Sequence, residues 1–327
     1  MKIGKVPENV LKRSVMKQLH YKRDEVILGP GIGEDCAALA LAEDEILVMS
    51  TDPITGTAKD FGKLAIQITA NDLASAGAEP IGVMLTILLP DGTREIALKR
   101  IMEQMECACR EAKMQILGGH TEVTAVVNQP VVNVAGVAKA KKGSLISTAG
   151  ARAGMDIVVS KWVGIEGTMI FAKEKEAELK EHFPADFVDT AIGFDRYLSV
   201  VPEAAVATQS SVAAMHDVTE GGLFGALWEM AEASGVGLEI DLKKIPIRQE
   251  TVEICEYFDV NPYGLISSGM MLMASADGNA LVLALQEVGI PATVIGKATE
   301  GNDRVIIRDE ERRFLEPPKT DELYKVL

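Results

Sequence analysis

The sequence predicts a two-domain α/β protein, and three observations carry that prediction. Its 327 residues are too many for one ordinary core and suit two domains of roughly 150 residues each. In the first half, apolar runs of strand length alternate with longer stretches of helical period. Between that half and a second one lies 141–155 (KKGSLISTAGARAGM), where glycines, small residues and charges separate two apolar runs in the manner of a linker. The boundary therefore falls near residue 150, giving domains 1–150 and 151–327.

Strands are expected at Glu45–Thr51, Ile81–Leu89, Met114–Leu117 and Pro130–Ala138, rich in apolar and β-branched residues and bounded by Gly, Pro or Asp. Helices are expected at Phe61–Ala76 and Thr93–Ala112. The second half opens with a strand at Asp156–Ser160 and a glycine-bearing turn, Gly164–Gly167, that leads into a helix, with a further helical region over Glu174–Leu198. Val212–Met215 is strand-like, and HDVTEGG at 216–222 opens a helix that runs to Ser234. Strands at Leu238–Asp241 and Met270–Ala274, a helix at Ala280–Val288 and a final strand at Ala292–Lys297 complete the pattern. The charged end, EPPKTDELYKVL, reads as solvated.

Composition excludes several function classes. No apolar run reaches the roughly 18 residues that span a bilayer, so a membrane protein is not expected. The opening stretch has basic residues but no apolar core and no small-residue cleavage site, so the protein is expected in the cytoplasm. Cys36, Cys107, Cys109 and Cys255 have neither zinc-site nor CxxC spacing and read as reduced thiols. A net charge of −15 argues against a nucleic-acid partner, because such binding draws on Lys and Arg meeting phosphates. An acidic protein that handles phosphate must do so locally, through cations and backbone N–H groups.

Several residues could supply such chemistry. Gly29-Pro-Gly-Ile-Gly33-Glu34-Asp35 places three glycines at alternate positions before a carboxylate; it is a surface turn or a phosphate-facing loop, and it matches neither a dinucleotide fingerprint nor a P-loop. Asp52 is expected to end the strand EILVMST, because Pro53 follows it, and a carboxylate at a strand end is where open α/β sheets often keep ligands. Asp72 shares a four-residue spacing with Leu64, Ile68 and Ala76, while Ala65, Ile66, Ala70 and Leu73 make the opposite face apolar as well. A helix buried nearly all round leaves Asp72 in need of a partner, either a salt bridge or cap, or a metal. Asp35, Asp52 and Asp72 together suit Mg²⁺, which takes oxygen ligands and is commonly shared with substrate phosphates. Gly118-Gly119-His120-Thr121-Glu122 after MQIL is either a functional segment or an ordinary turn, and HDVTEGG at 216–222 is either a helix start whose glycines let backbone N–H groups face an anion or an N-cap with helix-start acids. His120 and His216 are each either structural or catalytic.

In order, GxGEDCA, a strand ending in STDP, DFGKLAIQITANDLASAGAEP, LGGHTEV and HDVTEGGL resemble the aminoimidazole ribonucleotide synthetase (PurM-like) superfamily, whose members include HypE, thiamine-monophosphate kinase and selenophosphate synthetase. The resemblance spans Gly29 to Lys297 and is nearest to the HypE pattern. It implies a two-domain PurM-like α/β fold in which the first domain pairs with its copy to form a β-barrel across a homodimer. It also implies ATP and Mg²⁺ as cofactors. The metal positions fall on Asp35, Asp52 and Asp72, nucleotide contacts on Gly33, Lys63, Asn71, Gly119 and Asp217, and catalytic roles on Asp72, His120 and Asp217. The chemistry implied is attack of an amide, carbamoyl or phosphate oxygen on the γ-phosphate, with a small-molecule or peptidyl acceptor and a maturation partner protein.

Three departures set the chain apart from the HypE pattern. HypE carries a cysteine at its C-terminus, whereas this sequence closes on Tyr324-Lys-Val-Leu327 and its last cysteine is Cys255. An Asp-Thr-Lys triplet becomes His120-Thr121-Glu122, and an Asn-Glu-Gly becomes Ser267-Ser268-Gly269. The expectation is a retained ATP site serving another acceptor. A thiamine-monophosphate kinase-like enzyme and a non-catalytic nucleotide-binding dimer are the alternatives.

Overall fold

The computed structural model describes residues 1–31, 36–55, 61–317 and 320–327. The chain divides into two compact units, Met1–Ala74 with Ala78–Leu145, and Ser75–Gly77 with Ile146–Leu327.

Unit 1 contains strands β1 (Gly4–Lys5), β2 (Val26–Leu28), β3 (Ala38–Leu39), β4 (Glu45–Thr55), β5 (Glu79–Pro90), β6 (Gln115–Thr124) and β7 (Val131–Lys141), with helices α1 (Glu8–Ser14), α2 (Phe61–Ser75) and α3 (Glu95–Glu111). Five of the strands form one sheet in the order β1-β6-β5-β7-β4, and β2 pairs with β3. β5 runs parallel to β6 and antiparallel to β7, which in turn pairs with β4 from Glu45 opposite Lys141 to Thr55 opposite Val131. α2 lies against the inner face of this sheet. Gly136 permits the approach, since a Cβ there would stand 2.3 Å from the Thr69 side chain. The outer face keeps apolar side chains in view, Leu47 at 48% and Met49 at 62% exposure.

Two sequence expectations change here. Pro53 does not end its strand: β4 continues to Thr55, because it is the last strand of the sheet and a missing N–H on an open edge breaks no ladder. The GGHTE stretch is not a turn, since β6 runs through it to Thr124 with Gly119 opposite Leu85 and His120 opposite Thr86.

Unit 2 contains strands β8 (Asp156–Ser160), β9 (Val212–Asp217), β10 (Gly237–Asp241), β11 (Met271–Ser275), β12 (Ala292–Thr299), β13 (Arg304–Arg308) and β14 (Glu311–Phe314). Its helices are α4 (Ile165–Glu174), α5 (Glu176–His182), α6 (Ala185–Ile192), α7 (Val201–Ala207), α8 (Gly222–Ser234), α9 (Gln249–Tyr257) and α10 (Gly278–Glu287). The strands form one mixed sheet in the order β14-β13-β10-β12-β8-β11-β9. One core joins Ile157, Leu223, Leu227, Leu238 and Leu272, and a second gathers Phe171, Leu179, Val188 and Ile254. The expected final strand, β12, is followed by two more, and the closing stretch is solvated only in part: Leu323 and Val326 pack against the second core while Tyr324 and Leu327 stay exposed. Among the described residues no helix is long and apolar enough to cross a membrane.

Candidate functional sites in the two units

Two of the expected acids, Asp52 and Asp72, stand on facing elements at the edge of the unit 1 sheet. Ser50 and Asp52 lie two residues apart on β4, so both project to the inner face, where α2 packs. The Ser50 hydroxyl donates to Asp72 Oδ2 at 2.5 Å, which ties the helix acid to the strand that carries Asp52. Asp52 is half-buried, and its Oδ2 is sealed from solvent with no hydrogen-bond partner among the described residues. Asp72 is also only half-buried. The Leu64, Ile68, Asp72 and Ala76 stripe is the side of α2 that remains partly open, while Ala65, Ile66, Ala70 and Leu73 form the buried side. The partner that Asp72 needs is thus in part a neutral hydroxyl.

The other expected residues distribute unevenly. Asn71 is buried beside Asp72 on α2. Lys63 stands in the first turn of the same helix, nine residues before Asp72 and so about 13 Å away along the axis. Gly33 and Asp35 lie outside the described residues. His120 is not with the acids. The register places Asp52, Val134, Leu85 and Gly119 in one row on the inner face and His120 on the outer face of β6, about 14 Å away across three strand spacings. There its Nε2 meets Glu122 Oε2 at 3.2 Å, beside a cleft of about 880 Å³ that Thr86, Asn133 and Lys5 also line. Gly119 has its own reason to be glycine: φ is +146°, and a Cβ would fall 1.9 Å from the Leu85 carbonyl oxygen. Among the described residues no group of three or more His, Cys, Asp or Glu side chains is arranged to hold a metal ion. The donor set that is present, a carboxylate oxygen without a donor and a second carboxylate on the facing helix, consists of hard oxygens and fits a shared Mg²⁺.

Unit 2 builds a second polar cluster at the ends of β8, β9 and β11. Asp217, 5% exposed, closes β9. The turn after it passes through Gly221 and Gly222 in left-handed conformation, and a Cβ on Gly222 would lie 2.6 Å from the Leu265 carbonyl oxygen. The expected cap on α8 is absent from the turn's own side chains and comes instead from Asp321, whose Oδ2 accepts the Gly221 N–H at 2.6 Å. Glu166, on the first turn of α4 and 1% exposed, accepts the Ser268 N–H at 3.1 Å. The Ser268 hydroxyl lies near it without reaching hydrogen-bond geometry. Burial pushes the Glu166 carboxyl up to about 7, with Glu220 and Asp321 adding to the rise. Lys161 Nζ donates to the carbonyls of Tyr197, Ser199 and Gly269 and pairs with Glu203 at 2.7 Å. His216 is bound through Nε2 to Glu229 at 2.8 Å. Burial also pushes up the thiols of Cys109 and Cys255, the latter to about 12, so neither is poised as a nucleophile.

Sequence reasoning missed Ser50, Glu166 and Asp321. Ser50 and Glu166 had a faint signal, a hydroxyl two residues before Asp52 and an acid inside the Gly164–Gly167 turn. Asp321 had none, because its partners are 100 and 55 residues away.

Comparison with known proteins bears on the fold and the family. The model of AIR synthase related protein, N-terminal domain, matches residues 33–140, and that of the C-terminal domain matches 152–309. A protein of Methanocaldococcus jannaschii named for hydrogenase expression and formation is 29% identical over 332 residues, covering 99% of this chain and 97% of that protein. Carbamoyl dehydratase HypE of Cupriavidus necator is 32% identical over 279 residues, covering 82% of this chain and 77% of that protein. The crystal structure of hydrogenase maturation protein HypE in complex with ATP superposes with a TM-score of 0.83 at 21% identity, over 98% of this chain and 97% of that one. Both halves of the sequence are matched, in order, by the two domains of one family. This chain belongs to the AIR synthase related protein family, alongside relatives of the HypE type.

Proposed function

We propose that this chain is an ATP- and Mg²⁺-dependent enzyme that phosphorylates an amide, carbamoyl or phosphate oxygen of its acceptor. The observation that carries the reading is the Asp52 oxygen, buried and without a donor, next to the Ser50–Asp72 pair. Glu106 and Glu203 also keep a buried oxygen without a donor, but they are engaged by backbone amides and by Lys161, whereas Asp52 faces a second carboxylate, Asp72, tied to its strand through Ser50, and a cation would complete that pair. Asp52 and Asp72 would hold Mg²⁺, with Asp35 as the third acid of the same pattern. The ion would supply charge neutralisation for the phosphates. Asn71 is buried beside Asp72 on α2, and the Ser50 hydroxyl ties the Asp72 carboxylate to the strand that carries Asp52. The relatives agree in kind: a carbamoyl dehydratase, a selenide, water dikinase of Clostridioides difficile, and a HypE structure determined with ATP.

The same reading includes a homodimer that closes over the outer face of the unit 1 sheet, where Leu47, Met49 and Met84 stand exposed. A maturation partner protein is also part of it, since a HypE relative is known in complex with HypF. Titration calorimetry of ATP in Mg²⁺ is the test. Asp52→Asn is expected to lower affinity on the order of tenfold or more, because a charge-assisted contact is lost. Unchanged affinity would remove Asp52 from the site. Measuring ADP release with thiamine phosphate and with a carbamoylated peptide then separates a small-molecule kinase from a carbamoyl-activating enzyme, and release with neither favours a binding dimer.

A further inference from the structure

Segment Asp321–Val326 is fastened to unit 2 by more than packing. Asp321 is 4% exposed, and its carboxylate accepts three backbone amides: Gly221 at 2.6 Å through Oδ2, Leu323 at 2.8 Å and Ile266 at 3.2 Å through Oδ1. Glu322 adds a fourth contact, accepting the Asn261 N–H at 2.9 Å. Gly221 stands at the start of α8, where backbone N–H groups have no helical partner, and no side chain of its own turn caps them. Ile266 stands at the entry to Ser267 and Ser268. One carboxylate from a distant part of the sequence therefore joins two turns, the one that follows Asp217 and the one that carries the serines.

We propose that Asp321 is a positioning residue, latching the Asp217–Gly222 turn onto the Leu265–Gly269 turn and thereby setting where Asp217 lies. The proposal rests on Asp217 belonging to the nucleotide site. Packing supports the latch from both sides: Gly222 is pressed against the Leu265 carbonyl, and Leu323 and Val326 anchor the segment in the core around Phe171 and Ile254. A carboxylate at a helix start is also the favourable sign for the helix dipole.

The charges around the latch make it sensitive to protonation. Glu166 from α4 holds the Ser268 N–H, Glu220 comes from the turn, Asp217 from the end of β9, and Lys161, paired with Glu203, holds the Gly269 carbonyl. With Glu166 neutral, Asp321 is the carboxylate that receives the amides. With Glu166 ionised, a second buried carboxylate opposes Asp321 and Glu220, and the segment loosens.

Amide hydrogen exchange resolved at Gly221 and Ile266 tests this without any ligand. Asp321→Ala should raise exchange at both amides about tenfold or more while leaving the protein folded by circular dichroism. Asp321→Asn keeps a single acceptor oxygen, so it should raise exchange at Gly221 and spare Ile266. Protection of Gly221, corrected for intrinsic exchange, should fall between pH 6 and 8 in the wild type and hold constant in Glu166→Gln. Unaltered exchange at Gly221 in Asp321→Ala would overturn the latch. A second arm measures ATP–Mg²⁺ affinity of Asp321→Ala, expected to drop severalfold. Faster exchange with undiminished affinity would reduce Asp321 to a structural cap, whereas a wild-type protein that binds no ATP would instead overturn the nucleotide reading.

Discussion

The polar clusters of the two units differ in what engages their carboxylates. At the edge of the unit 1 sheet, Asp52 keeps a buried oxygen without a partner among the described residues, and the support of Asp72 includes a neutral serine hydroxyl. In unit 2, Asp321 gathers three backbone amides, Glu166 takes one, and Lys161 gives three bonds to carbonyls while pairing with Glu203. Leaving a buried carboxylate oxygen without a donor costs roughly 1–3 kcal/mol or more. The unit 2 network is itself incomplete, since Glu203 Oε2 and the Ser268 hydroxyl are also buried without a hydrogen-bond partner, but its carboxylates are engaged by backbone amides or by Lys161. On the proposed reading the unit 1 acids are where a ligand binds, whereas Asp321, Glu166 and Lys161 hold the backbone. Substitutions in the unit 2 network should therefore act mainly on stability and local exchange, and those at the unit 1 acids should spare the fold and affect binding.

The largest effect is expected at Lys161. It is 8% exposed, burial lowers its pKa despite the pull of Glu203, and Lys161→Met would strand Glu203 as an unpaired charge in the core. Breaking a buried pair from one side costs about 3–5 kcal/mol, which a urea unfolding midpoint would register plainly. Adding Glu203→Leu should recover most of that loss, since the desolvated charge is then gone. A single substitution that costs under about 1 kcal/mol would mean that the pair is not what holds the Gly269 turn, and the contrast between the units would weaken.

A smaller and pH-dependent effect is expected at Glu166. Its folded pKa, about 7, lies above the ordinary carboxylate value of 4.5. The stability it lends is thus complete below the ordinary value and is lost as pH rises through 7, when the folded state must either ionise a buried carboxyl or hold its proton against the solvent. The loss for this one group is up to about 3 kcal/mol. Glu166→Gln, which keeps the shape and cannot ionise, should flatten that part of the stability curve between pH 5 and 8. A curve of unchanged slope would show that Glu166 is already ionised in the folded protein.

The sequence was informative wherever the governing interaction was local. Apolar period located α2, α3 and the long strands of unit 1, and short apolar runs located β8 and β10 to β12. It failed at β13 and β14, whose short Arg-rich runs become strands only because β13 lies parallel to β10, and it stopped β4 at Pro53 because the openness of that edge is a tertiary fact. The site was legible in the same proportion. Asp52 and Asp72 could be singled out by their apolar surroundings, while Asp321 could not be connected to Gly221 by any spacing rule. Gly119 carries two readings: the resemblance gives it to the nucleotide, and its backbone lies against Leu85 at a positive φ that requires glycine in any case. Gly119→Ala should cost about 2 kcal/mol or more through that clash, whether or not nucleotide is present. An equally stable variant with impaired ATP binding would return Gly119 to the site.

The smallest effect on stability is expected at Asp72, and it is the sharpest test of the contrast. Asp72 is half-buried, and the bond it accepts from Ser50 can be accepted equally by an amide oxygen. Asp72→Asn therefore keeps the shape and the recorded hydrogen bond while removing one negative charge from a chain whose net charge is −15. Relief of repulsion from neighbouring acids offsets what is lost, so unfolding free energy should move by no more than about 0.5 kcal/mol. In Mg²⁺ the same charge is the one that draws the ion, and ATP affinity should fall by an order of magnitude or more. If the two measurements reverse, with stability falling by several kcal/mol and affinity holding, then Asp72 is a structural acid like Asp321. The open oxygen of Asp52 would then need an explanation other than a metal.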